Sequence, residues 1–342
     1  MEQHRQALRN FFVDFVAVCF ADPHTDWPGE GPSRSPKSNL LPAPENGKMI
    51  LTDEQVDSVK QEGFLCLPRL TSDEEALKIK ASLERLFVCR AGWNEGAYGE
   101  LAAYSDNEGK PNSPQILLPV NYAPELHKTE CFANARRIAK QILGEKADFI
   151  LDLAIFKCAS SGEATPWHQD QSFRDPKFDY HEVTFWLALR DVDENSGCLK
   201  FLPRSHHGQI LEHRRTNKNG ESVALECCAP FDKCSGVASK IPMGGCTLHF
   251  PKTLHCSTAN SSGAPRIVYS MTFGTAPTPA ESEMAYHWQD TVTAMQERRR
   301  KWMRNGGVFI TAWRRMRRGD LRDWHKLRYL GVRAIRTIVR GR

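Results

Sequence analysis

The eleven cysteines of this 342-residue chain include no Cys-x-x-Cys pair. That absence argues against a zinc ribbon and against a disulfide framework. Scattered thiols of this kind read as small apolar residues in a reducing compartment, which points to the cytoplasm. Long hydrophobic runs are also missing. The best, FFVDFVAVCFA at 11–21, is too short to span a bilayer and carries Asp14 in its middle. It makes a poor secretory signal as well, because MEQHRQALRN before it is mixed in charge and Asp22-Pro23 follows it. A short amphipathic helix is the expected structure there. No internal repeat is visible, and no groove-reading motif of a nucleic-acid-binding protein accompanies the basic residues.

What is present describes an ordinary globular chain, 40% hydrophobic and 25% charged. Its net charge of +5 conceals an asymmetry. Residues 297–342 hold sixteen Lys and Arg against three Asp and Glu, so the rest of the chain is acidic on balance. A basic tail can meet nucleic acid, an anionic membrane or substrate, a partner, or its own acidic body. Apolar and aromatic residues recur through VFITAWRRMRRGDLRDWHKLRYLGVRAIRTIV at helical spacing, which predicts folded helices that dock on the body or on a partner.

Residues 1–48 read as the short helix followed by a Pro/Gly/Ser-rich linker. Structure is expected from residue 49. Thr52 caps a helix that Gly63 ends, FLCLP forms a strand, Thr71 or Ser72 caps a second helix, and a third covers 130–143 before Gly144. From about 148 the texture changes. ADFILDLAIFKC, EVTFWLALRDV, GCLKFLPRSH, CTLHFPKTLHCS and RIVYSMTFG are apolar or β-branched runs bounded by turn residues. Such a series predicts a β-sandwich or jelly roll, here within a helix-flanked, β-rich α+β architecture.

One stretch in that region, ATPWHQDQSF at 164–173, carries chemistry. In extended backbone His168 and Asp170 share a side, either as a surface ion pair or as two legs of a metal site. Two histidines and one carboxylate on one face of a metal leave positions open for substrate and dioxygen, the arrangement of non-haem Fe(II) oxygenases. Four later histidines could complete it. His206 and His207 fall in a turn, lining the site mouth or merely solvated. His249 lies in a strand that could point it inward or outward. His255 is distinguished by Arg266, eleven residues on, at the start of a strand that can run antiparallel beside it. An arginine there can bind a carboxylate through its planar fork, and Ser257 on the same strand side can add a hydrogen bond.

Taken in order, WHQD, ENSGCLKFLPRSHHG and LHCSTANSSGAPRIVYS resemble the motifs of the phytanoyl-CoA dioxygenase family of Fe(II)/2-oxoglutarate-dependent oxygenases, over roughly residues 60–275. Two departures are Arg204, where the family has glycine, and Cys256 in the His-x-Ser segment. The resemblance implies a double-stranded β-helix (jelly-roll, cupin-like) core over 49–280, with a basic helical extension over 281–342. It implies Fe(II) held by His168, Asp170 and His255. For 2-oxoglutarate it implies Arg266 and Ser257, with Trp186 (otherwise a plain core aromatic), Gln115 and, less favoured, Lys157. The expected activity is a dioxygenase that uses Fe(II), 2-oxoglutarate and O2. It would hydroxylate an unactivated C–H of a small-molecule or acyl-thioester substrate and release succinate and CO2. Two other readings compete: a metal-dependent cupin-like isomerase or lyase without keto acid, and a non-catalytic scaffold working through its basic C-terminal region.

Overall fold

The computed structural model describes residues 50–101, 113–160, 163–216, 222–280, 285–290 and 292–317. The helix and linker expected over 1–48, and the basic helical sequence past 317, lie outside them. Among the described residues no helix is long and apolar enough to cross a membrane.

Local signals set the first elements. Thr52 and Gln55 form a reciprocal capping box at the start of helix α1 (Asp53–Glu62), and Gly63 ends it in the left-handed region at φ 88°. Strand β1 (Phe64–Leu67) follows. The Ser72 side chain, rather than Thr71, accepts the Glu75 amide at the start of α2 (Asp73–Val88). After β2 (Tyr98–Glu100) and β3 (Pro114–Leu117) comes α3 (Glu130–Leu143), capped by Thr129.

The strand-rich body runs through β4 (Asp148–Lys157), β5 (Thr165–His168), β6 (Phe178–Asp179), β7 (Glu182–Ala188) and β8 (Leu199–Phe201). It continues with β9 (His213–Arg215), β10 (Leu225–Cys227), β11 (Val237–Ser239) and β12 (Cys246–His249). It closes with β13 (His255–Ser257), β14 (Arg266–Gly274) and β15 (Thr278–Pro279). A seven-stranded sheet has the order β1-β12-β7-β14-β4-β3-β2, and a four-stranded sheet the order β11-β8-β13-β5. All the pairings within them are antiparallel. Two-stranded ribbons, β9 with β10 and β6 with β15, complete the double-stranded β-helix.

The large sheet is buried on both faces, and strand parity decides what each face carries. On β14, Ile267, Tyr269, Met271 and Phe273 join the core beneath α2 and α3, where the Phe132 ring of α3 lies 5.3 Å from that of Phe273. The alternate residues Arg266, Ser270 and Thr272 turn inward and line a cavity. On β7, Phe185 and Leu187 face the helices while Trp186 and Ala188 pack toward the small sheet. Phe64 and Phe201, stacked at 4.7 Å, bridge the two sheets.

One expectation fails here. Arg266 does not start a strand beside His255, because β13 pairs with β5 and β8 while β14 pairs with β4 and β7. The loop between them carries the chain from one sheet to the other, so the two residues enter the interior from different sheets.

Past the strands, Thr293 and Gln296 form a second capping box at the head of α4 (Ala294–Trp302), and α5 (Val308–Arg317) follows the turn at Gly306. Helix α4 lies directly on the backbone at Gly96, where a Cβ would fall 2.3 Å from the Arg299 amide nitrogen. Arg298 sits 4.0 Å over the Trp93 ring and donates to the carbonyls of Trp93 and Tyr98 at 3.2 and 2.8 Å. Arg314 donates two hydrogen bonds to the Glu95 carboxylate, at 2.6 and 3.1 Å.

Candidate active site

His168 and His255 are cross-strand partners of β5 and β13, with ring centroids 4.3 Å apart. Strand β5 stops at His168, so Asp170 does not extend it; the carboxylate opens a 3-10 turn, Asp170–Phe173. The turn nonetheless carries it back to the imidazoles. Asp170 Oδ1 lies 3.7 Å from His168 Nε2 and 3.8 Å from His255 Nε2, and one ligand atom from each residue falls within 4.8 Å of the others.

The surrounding bonds aim these atoms. Nδ1 of His168 donates to the Pro166 carbonyl at 2.7 Å, and Nδ1 of His255 to that of Thr253 at 2.9 Å. With the proton committed to Nδ1, each Nε2 presents its lone pair to the gap. Asp170 Oδ2 accepts from His249 Nε2 at 3.2 Å and from the Thr184 hydroxyl at 3.5 Å, leaving Oδ1 for the gap. Burial lowers both imidazole pKa values, for His255 with added repulsion from His168 and His249. Burial disfavours the Asp170 charge. The His249 hydrogen bond and the imidazoles outweigh it and hold the carboxyl far below the usual range. Neutral imidazoles beside an ionised carboxylate are the protonation states a cation requires. Two nitrogens and one carboxylate oxygen suit Fe(II).

The same cavity, about 430 Å³, contains Arg266. Its guanidinium is buried, its Nε and Nη1 meet no hydrogen-bond partner, and it lies 5.1 Å over the Trp186 ring. Burial pulls its pKa down to about 9, which still leaves it charged at neutral pH. Lys157, its cross-strand partner on β4, is equally buried. Its Nζ donates to Ser257 Oγ at 2.6 Å, to the Thr258 carbonyl at 2.8 Å and to the Glu163 carbonyl at 3.2 Å. Burial, reinforced by Arg266, brings the Lys157 pKa well down. A buried Arg266 cation with no carboxylate against its guanidinium calls for an anion, and a keto diacid fits that demand.

A family profile described as phytanoyl-CoA dioxygenase (PhyH) matches residues 59–268, more than half of the chain. The chain belongs to the phytanoyl-CoA dioxygenase family. It is therefore a 2-oxoglutarate-dependent non-haem iron dioxygenase, with Fe(II) as cofactor and 2-oxoglutarate and O2 as co-substrates. It is 26% identical over 260 residues to phytanoyl-CoA dioxygenase domain-containing protein 1 of Danio rerio, covering 65% of this chain and 89% of that one. It is 31% identical over 222 residues to a probable alpha-ketoglutarate-dependent hypophosphite dioxygenase of Stutzerimonas stutzeri, covering 61% and 73%. Among solved structures, EvdO2 of Micromonospora carbonacea var. aurantiaca complexed with 2-oxoglutarate superposes with a TM-score of 0.60 at 28% identity, covering 70% of this chain and 96% of that one.

As a phytanoyl-CoA dioxygenase family member the chain departs at Arg204, and the backbone explains the usual glycine. Arg204 sits at φ 64°, the left-handed region, and its side chain pairs with Glu62 at 2.9 Å. The two histidines after it turn away from the cavity, with Nε2 of His206 and His207 2.9 and 3.2 Å from the carbonyls of Lys60 and Gln61. Gln115, Trp186 and Ser257 line the cavity. His249 points inward but meets Asp170 rather than the gap. Cys246 and Leu248, of the opposite parity on β12, belong to the helix-side core. Nothing in IFKC announces that the Lys157 amine is buried beside Ser257.

A second buried histidine braces the turn. His213 Nε2 accepts the Gln169 amide at 3.1 Å, and its Nδ1 donates to the Leu211 carbonyl at 2.7 Å. Burial pushes its pKa from 6.5 down to about 4. As pH falls below 6.5 the unfolded chain takes up a proton that the folded state refuses until about 4. The stability is thus fully present above the unfolded value and lost as pH falls through this window, up to about 3 kcal/mol from His213. Urea unfolding of the apoprotein at pH 7 and pH 4.5 should show the loss, and His213→Gln should remove the share due to His213 while that of the buried His168 and His255 remains.

Proposed function

We propose that His168, Asp170 and His255 hold the iron, and that Arg266 receives the distal carboxylate of 2-oxoglutarate. On this reading Ser257 and Lys157 complete the anion pocket, with Trp186 and Gln115 as walls. The outcome is hydroxylation of an unactivated C–H in a small-molecule or acyl-thioester substrate. One oxygen atom enters the substrate as a hydroxyl and the other enters succinate as the keto acid loses CO2. The observation that carries the reading is the buried, unpartnered Arg266 guanidinium opening on the same cavity as the triad.

Iron with 2-oxoglutarate supplies the oxidising power when bound. The chain's own residues position and protect. The Nδ1 bonds to Pro166 and Thr253 keep both Nε2 atoms unprotonated toward the ion. His249 and Thr184 hold one oxygen of Asp170, fixing which oxygen is offered. Arg266 orients the keto acid, and Leu151, Leu153 and Ile155 line the cavity with apolar surface that keeps water from the reacting carbon.

Stoichiometric formation of succinate and a substrate alcohol, labelled by ¹⁸O2, tests the reaction type on a panel of acyl thioesters, amino acids and organic acids. An unlabelled product formed with succinate would contradict hydroxylation, and turnover without succinate would return the chain to the isomerase reading. Replacing His249 by Ala is expected to weaken Fe(II) binding by about 10- to 100-fold, the usual cost of losing a ligand's hydrogen-bond partner. Calorimetric titration with Fe(II) under argon reads this directly.

A further inference from the structure

Two more arginines line the cavity, and neither the metal triad nor the keto-acid pocket uses them. Arg215 closes β9, opposite Leu225 of β10, and Arg299 comes from α4. Both stand at the β2 end of the large sheet. Ser222, just ahead of β10, bridges Glu100 of β2, while Gly96 and Gly99 pack under Arg299 and Met295 of α4. Among the described residues, the cavity lining contains one carboxylate, Asp170, which faces the triad. A third arginine, Arg174, is paired with Glu182. Arg215 and Arg299 have no acidic partner among the described residues, and the buried Nε of Arg215 meets no hydrogen-bond acceptor. Burial lowers the Arg215 pKa with nothing to offset it. Leu117, Leu151, Leu153, Val223 and Leu225 make the walls of the same cavity apolar.

We infer that the primary substrate is an amphipathic molecule whose anionic group, a carboxylate or a phosphoryl group, is met by Arg215 and Arg299 while its apolar body lies along the leucine-lined wall. This rests on the oxygenase reading and narrows its substrate class. It also gives the basic C-terminal region a role. The family match ends at residue 268, so Met295, Gln296 and Arg299 add a wall that the matched segment does not contain. Specificity here is set partly by α4, which closes over the glycines at 96 and 99. Guanidinium groups suit the task because a planar fork can bind an oxyanion through two donors.

The test uses the full-length protein under argon with saturating Fe(II) and 2-oxoglutarate, so that Arg266 is already occupied. Octanoate, octyl phosphate and uncharged 1-octanol are titrated by calorimetry into wild type, Arg299→Gln and Arg215→Gln. Wild type is expected to bind at least one anion tenfold or more tighter than octanol, on the order expected of charge-assisted hydrogen bonds. The stronger of the two anions identifies the head group. Each variant should lose about tenfold or more of that anion's affinity and keep its octanol affinity within about twofold. Arg299 lies on a partly exposed helix face, so its variant keeps the test informative even if Arg215→Gln disturbs the hairpin. Equal binding of octanol and both anions, or unchanged anion affinity in Arg299→Gln, would overturn the inference. Loss of the visible Fe(II)–keto-acid band counts against the oxygenase reading instead, and the calorimetry is read whether or not the band forms.

Discussion

Replacing Arg266 with Gln is expected to raise the 2-oxoglutarate concentration needed for half-saturation by about two to three orders of magnitude, with Fe(II) affinity nearly unchanged. Removing one member of a buried, hydrogen-bonded charge pair costs about 2–5 kcal/mol, and each 1.4 kcal/mol is tenfold. The free protein gives a second, opposite readout. Without the keto acid, Arg266 is a buried cation whose Nε and Nη1 have no partner, which is a cost to folding. The variant should therefore melt no lower than wild type without ligand, and it should lose the stabilisation that 2-oxoglutarate confers on wild type. A residue that merely braces the sheet would behave the other way, with a lower apoprotein melting temperature and an unchanged 2-oxoglutarate requirement.

Asp170→Ala is expected to weaken Fe(II) binding by more than about 100-fold, beyond what loss of a supporting partner such as His249 costs, and to abolish 2-oxoglutarate turnover. Removing the carboxylate takes the only anionic donor from the set and leaves His249 Nε2–H without its acceptor. Equilibrium dialysis against buffered Fe(II) would measure the first effect and succinate formation the second. Wild-type iron affinity in this variant would remove Asp170 from the centre.

Much of the site was legible because its parts sit on short motifs whose spacing the fold exploits. His168 and Asp170 are two residues apart, and the backbone brings their side chains together even though the strand yields to a 3-10 turn between them. The helix boundaries followed from a side-chain cap at Thr52, one at Thr71 or Ser72 that the structure gives to Ser72, and the glycines Gly63 and Gly144. Less could be read where position depends on which sheet a strand joins. Arg266 and His255 are eleven residues apart yet lie on strands of different sheets, a choice made by long-range pairing with β4 and β5. Lys157 and His249 stayed ambiguous for a related reason. A polar residue in an apolar strand declares its role only when the partner across the interior is known, Ser257 for one and Asp170 for the other. Arg299 was visible only as one charge in a basic tail. Its place in the cavity depends on α4 seating on Gly96, a close approach that no local pattern encodes.

The most direct measurement is an anaerobic titration of the apoprotein with Fe(II) in the presence of 2-oxoglutarate, followed by visible absorbance. Three side chains sharing one ion beside an arginine-bound keto acid should give a metal-to-ligand charge-transfer band. It should saturate at stoichiometric iron, vanish in His255→Ala, and require far more 2-oxoglutarate in Arg266→Gln. A protein that binds both ligands yet shows no band, or a band that survives intact in His255→Ala, would contradict the proposed centre.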